Sequence, residues 1–193
     1  MKLKTGTIVL IIIAAIVLIL AFIAIGSYNG LVDRSEKVET FRSEIDNQLQ
    51  RRSDLIPNLV STIKEYASHE SKVFSDIAEA RENYLNADTL VETAEADAQL
   101  RTAVTNLLAI AEAYPDLKAN ENFINLQDEL AGTENRIANA RRDYNNAAKD
   151  LNTKIRRFPS NIFANLFGFE SVEYFQASAD SKENPNVGDL FGD

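Results

Sequence analysis

From Ile8 to Ile25 the chain holds eighteen consecutive residues without a polar side chain. At ~1.5 Å of rise per residue, a helix over them is about 27 Å long, close to the ~30 Å hydrocarbon core of a bilayer. Residues 8–25 are therefore read as a transmembrane anchor, behind a short basic head over residues 1–7. A cleavable signal peptide is the rival, because Ala24-Ile25-Gly26 sets small residues before Ser27. The apolar part of such a signal usually covers only ~7–15 residues, fewer than here. Residues 26–30 read as a hinge or interface, with Tyr28 expected at headgroup depth, where an amphipathic ring is comfortable.

After Gly30 the apolar positions recur every three or four residues, the mark of amphipathic helices. A first helix follows Leu31, Ser35, Val38, Phe41, Ile45, Leu49 and Arg52. Ser53-Asp54 then offers a cap and Pro57 a first-turn proline, which together predict a second helix on Ile56, Leu59, Ile63, Tyr66, Glu70, Val73, Ile77, Ala80 and Tyr84, ending near Asn86. Asp88-Thr89 opens a third, with Thr89 and Glu92 at capping-box spacing, and it stops before Pro115. Asn120 caps a fourth helix that ends at Phe158-Pro159.

Four such helices over residues 31–158 predict an all-α fold, an antiparallel up-down-up-down bundle with near-coiled-coil packing, behind an N-terminal transmembrane helix. This topology puts the connections Arg51–Pro57 and Tyr114–Asn120 at a tip far from the membrane. It puts the Asn86–Asp88 turn and everything after Phe158 near the bilayer. Residues 159–176 are rich in aromatics, a segment that either closes the end of the bundle or touches the membrane surface. Residues 177–193 read as an acidic, disordered tail.

Charge narrows the partners. The 29 acidic residues all lie after position 26 and two of the 20 basic residues lie before it, so the part beyond the anchor carries a net −11. That balance disfavours nucleic acid. Lys2 and Lys4 ahead of the run, against Arg34, Lys37 and Arg42 behind it, lean by the positive-inside rule towards a cytoplasmic head and an external bundle. The absence of cysteine removes disulfides, thiolate metal sites and cysteine nucleophiles.

Candidate chemistry is sparse. His69, the single histidine, precedes Glu70, but Val73 stands where a zinc His-Glu-x-x-His motif needs its second histidine, and a di-iron bundle needs two Glu-x-x-His motifs. Glu70 falls on the apolar seam and needs a partner, and counting from the tip places it level with Arg136 and Arg141, a structural register pair. At the tip, Arg51, Arg52, Asp54 and Asn58 face Tyr114 and Lys118 as a candidate partner surface. Capping explains Asp54 and the prolines but not the two adjacent arginines. No phosphate-binding glycine loop or Gly-x-Ser-x-Gly occurs. No enzyme, cofactor, metal or small-molecule substrate is expected.

Several strings resemble a known family. Tyr28-Asn29-x-Leu31-Val32, Arg51-Arg52-x-Asp54-Leu55-Ile56-Pro57-Asn58-Leu59-Val60, His69-Glu70, Ala80-Arg81, Glu112-x-Tyr114-Pro115-x-Leu117-Lys118-Ala119-Asn120, Arg141, Tyr144-Asn145 and Phe158-Pro159 are similar to the LemA family of bacterial membrane proteins. Two positions depart: Phe41 stands where relatives often carry Trp, and Leu151 precedes Asn152 where Tyr-Asn is usual. The resemblance implies an N-terminal anchor and an antiparallel helical bundle, and no settled activity. The expected function is docking of protein partners, or self-association, at the bacterial envelope, with the lipid bilayer engaged through residues 8–25.

Overall fold

A computed structural model describes residues 5–176. The head's first four residues and the expected tail over 177–193 lie outside the described residues. The order is α1 (Thr5–Lys64), α2 (Ser71–Leu85), α3 (Leu90–Ala109), a 3-10 turn (Ile110–Ala113), α4 (Pro115–Lys118), α5 (Glu121–Arg156) and α6 (Ser160–Phe167). The fold is all-α, and α1 opens with the long apolar stretch.

α1 corrects two expected breaks. It runs through Gly26–Gly30 without a hinge. A glycine in a helix costs only about 1 kcal/mol, and Ser27 and Leu31 on either side of Tyr28 are buried by packing. It also runs through Pro57, so there is no connection at Arg51–Pro57 and no helix starting at Ser53. Pro57 lacks the N–H that would bond the Ser53 carbonyl. Arg81 of α2 supplies a donor instead, Nε to Ser53 O at 3.1 Å. The buried seam Ile45, Leu49, Arg52, Ile56, Leu59, Ile63 continues unbroken across the site.

The true end of α1 is a tight turn after Lys64, where Ile63 O accepts from the amides of Tyr66 and Ala67. Glu70 then becomes the N-cap of α2 without a side-chain cap bond. Other expected ends hold. Thr89 and Glu92 form a reciprocal capping box at the start of α3. Asn120 Oδ1 accepts from the Phe123 amide and caps α5.

The chain divides into two compact units. Residues 44–142 with 175–176 form one. Its four helical stretches alternate in direction: Lys64 lies over Phe74 and Arg81 bonds Ser53, Asn83 meets Gln99, and Asp97 and Arg101 meet Arg141 and Glu134. Ile56, Leu59, Ile77, Leu100, Leu107, Leu117 and Phe123 fill its core.

Residues 5–43 and 143–174 form the other unit, in which α1 pairs with the second half of α5 and with α6. The four helical stretches pack together within the first of these units. The Asn86–Asp88 turn belongs to that four-helix unit.

Candidate functional site

In the four-helix unit, three helices each bring a charged side chain inward. Arg52 is buried on α1, Asp97 on α3 is 1% exposed, and Arg141 comes from α5. Asp97 Oδ1 accepts from Arg52 at 2.9 Å and Oδ2 from Arg141 at 2.7 Å, so each carboxylate oxygen takes one guanidinium. Arg52 also stands 3.1 Å from Glu134, which pairs with Arg101 nearer the surface at 3.4 Å. The Arg141 guanidinium lies 4.4 Å from the centre of the Phe175 ring, within cation–π range. Burial, then the Asp97 and Asp46 charges, push the Tyr84 phenol well above its ordinary range, so it stays a neutral hydroxyl.

Arg52 and Arg141 face Asp97 and Glu134 in the interior, with Arg101 on the outer side of Glu134. Buried pairs of this kind are poor sources of net stability, because desolvation offsets the attraction, but any other helix register leaves a buried charge unpaired. The arrangement can fix register. It presents no reactive nucleophile, and among the described residues no three His, Asp or Glu side chains gather as a metal site would require.

The residues singled out from sequence scatter. Arg52 is interior rather than a partner surface. Glu70 is not the register carboxylate: Arg141 pairs with Asp97, and Arg136 lies against Gly132 on its own helix. Both errors follow from the assumed break at Pro57: α1 ends only at Lys64, so Arg52 lies about three helical turns short of the tip, and Glu70 sits at the tip turn itself. Arg51 is exposed and pairs with Glu129 at 2.8 Å, and that guanidinium lowers the Glu129 carboxyl below its ordinary range.

Asp54 accepts from Gln50, one turn back on α1. Tyr114 is the N-cap of α4, and Lys118 reaches Glu112 at 2.7 Å. The real neighbours at this end are Tyr66, whose hydroxyl accepts from Asn120 Nδ2 at 3.0 Å, and Asn120 itself. Asn58 lines an open polar groove of about 430 Å³ with Ser61, Thr62, Asn122, Asn125, Leu126 and Glu129, which the tip reading missed. Its sequence signal is Asn and Ser at helical spacing on α1 and α5.

The other unit holds Tyr28. Its ring meets those of Phe167 and Phe169 edge-on, with centroids 5.0 and 5.9 Å away. Asn152, almost fully buried on α5, both donates to and accepts from the Val172 backbone at 2.9 Å. Burial raises the Tyr144 phenol, and its hydroxyl donates to Glu173 O at 2.9 Å. These bonds fasten the segment after α6 along α5.

Residues 42–188 match the sequence model of the LemA family. The chain belongs to the LemA family. It is 28% identical over 203 residues to magnetosome protein MamQ 2 of Paramagnetospirillum magneticum, covering 91% of this chain and 75% of that protein. Against magnetosome protein MamQ of Magnetospirillum gryphiswaldense it is 26% identical, covering 90% and 74%. Protein LemA of Metamycoplasma hominis is 26% identical over 170 residues, covering 88% of this chain and 78% of its own. With the apolar run of α1, these LemA-family relatives support a membrane-associated helical protein.

Proposed function

We propose that this LemA-family chain is a single-pass membrane protein of the bacterial envelope that docks other proteins on its helical bundle and performs no catalysis. One observation carries the reading. In the apolar run of α1 not one residue is buried, whereas later turns of the same helix close around a packed core. In water such a run is a large exposed hydrophobic surface, and a bilayer is the environment that suits its length and composition. Lys2 and Lys4 ahead of the run favour a cytoplasmic head, which sets the bundle on the external face.

The docking part rests on how the charges are used. The interior ones are turned towards one another, Arg52 and Arg141 on Asp97, which leaves recognition to the outer faces. The polar groove between Asn58, Ser61 and Thr62 of α1 and Asn122 and Asn125 of α5 offers amide and hydroxyl groups to a protein surface. Anchoring raises the local concentration of such a surface and strengthens weak contacts.

A photo-crosslinking residue in place of Ser61 or Asn125 tests this in intact membranes. Discrete adducts to other proteins are expected. A homotypic ladder indicates self-association, and the absence of any protein adduct overturns the docking role. Protease added outside right-side-out vesicles should digest the bundle; full protection overturns the orientation.

A further inference from the structure

We propose that α6 is a second membrane contact, an interfacial helix whose outer face lies among lipid headgroups and upper acyl chains beside the anchor. The inference rests on the anchor reading above. α6 turns its chemistry the wrong way for a water-soluble helix. Ser160 and Ala164, one turn apart, are buried. Ile162 and Leu166, one turn apart on the opposite face, are 55% and 71% exposed, and Phe158 just before the helix is 77% exposed. A short helix that buries its small residues and shows its large apolar ones has its main apolar contact outside the chain.

Two observations choose lipid as the occupant. The first is continuity with the anchor. Tyr28 stands one helical turn past Ile25, where the apolar run ends, and packs edge-on against Phe167, the last residue of α6. The helix is thereby held at the level where α1 leaves the hydrocarbon. The second is charge. From Lys154 to Gly168 the chain carries Lys154, Arg156 and Arg157 and no acidic residue, although the whole protein is at −9. Arg156 and Arg157 are both exposed. Apolar side chains flanked by arginines suit an anionic membrane surface, with the rings and aliphatics in the upper acyl region and the guanidiniums on phosphate.

The protein has no tryptophan, so a single substitution supplies its whole tryptophan signal. The full chain carrying Ile162→Trp, Leu166→Trp or, in the anchor, Leu18→Trp is reconstituted in vesicles of phosphatidylcholine and phosphatidylglycerol. The acyl chains are brominated either near the glycerol or near the bilayer centre. Indole emission from the Ile162→Trp and Leu166→Trp proteins should be blue-shifted and roughly halved by the shallow bromines, and the Leu18→Trp protein should respond to the deep ones. Replacing Arg156 and Arg157 together by Gln should weaken the quenching at position 162 in anionic vesicles but not in pure phosphatidylcholine.

If the Leu18→Trp protein is quenched while positions 162 and 166 emit as in water, α6 faces solvent and the proposal is wrong. Blue-shifted emission at position 162 without lipid quenching means that protein, such as a second copy of this chain, covers the face, and this too overturns it. Loss of quenching in the Leu18→Trp protein refutes the anchor itself and the proposal with it.

Discussion

Arg81 Nε donates to the Ser53 carbonyl at 3.1 Å, the acceptor that Pro57 leaves without a helical partner. A proline inside a helix costs roughly 3 kcal/mol, partly through this orphaned carbonyl. Supplying a donor from the neighbouring helix returns part of that cost and ties α2 to α1 at the same point. Arg81→Ala should therefore destabilise the protein by about 1–3 kcal/mol. In a Pro57→Ala background the helix regains its own N–H, and the same substitution should cost markedly less. Urea unfolding of the four variants in one detergent gives the coupling. Equal costs in both backgrounds would show that Arg81 does something other than satisfy Ser53.

Asp97 joins Arg52 and Arg141 across three helices. Asp97→Ala takes the shared carboxylate from both guanidiniums, leaving the buried Arg52 with Glu134 alone, and should cost about 3–5 kcal/mol. Arg51→Ala, one residue from Arg52, removes an exposed pair with Glu129 and should leave the unfolding curve nearly unchanged. Comparable losses at both positions would contradict the structural division between these adjacent arginines.

That division marks how far the sequence could be read. The apolar run, the all-α class, the capping box at Thr89 and the cap at Asn120 are legible from local pattern, since each depends on neighbours within a few residues. The break at Pro57 was misjudged because local rules favour a helix start there, while the donor that keeps the helix whole lies 28 residues away. The seam did carry the correct signal, since Arg52 to Ile56 is an ordinary four-residue step. The actual end of α1 has neither glycine nor proline to announce it, only Ala67 packed into the core at the turn. Asp97 gave no warning either: a carboxylate on α3 becomes central only once Arg52 and Arg141 converge on it.

Asn152 grips the Val172 peptide as another peptide would, donating through Nδ2 and accepting through Oδ1, both at 2.9 Å. Asn152→Asp keeps the acceptor but turns a carboxylate oxygen towards the Val172 carbonyl. The segment after α6 should then detach from α5. Amide hydrogen exchange at Val172 should accelerate by roughly tenfold or more, the equivalent of at least ~1.4 kcal/mol of lost protection. Unchanged exchange at Val172 would mean that Tyr144, through its bond to Glu173, holds the segment by itself.

Glu92 links the start of α3 to pH. Its carboxylate accepts from the backbone amides of Thr89 and Asp88, and these bonds, Thr89 first, lower its pKa below the ordinary 4.5. The folded state therefore holds the charged form more firmly than the unfolded chain does. The resulting contribution to stability is fully present above 4.5 and is lost as pH falls through the lowered folded value. Carboxyl NMR should show Glu92 titrating below 4.5, with the Thr89 and Asp88 amide resonances moving in step. Glu92→Gln should abolish that linked movement while leaving the Thr89 hydroxyl to accept from the amide at position 92. A normal Glu92 titration, or amide shifts that persist in the Gln variant, would show that the capping box does not hold the charge.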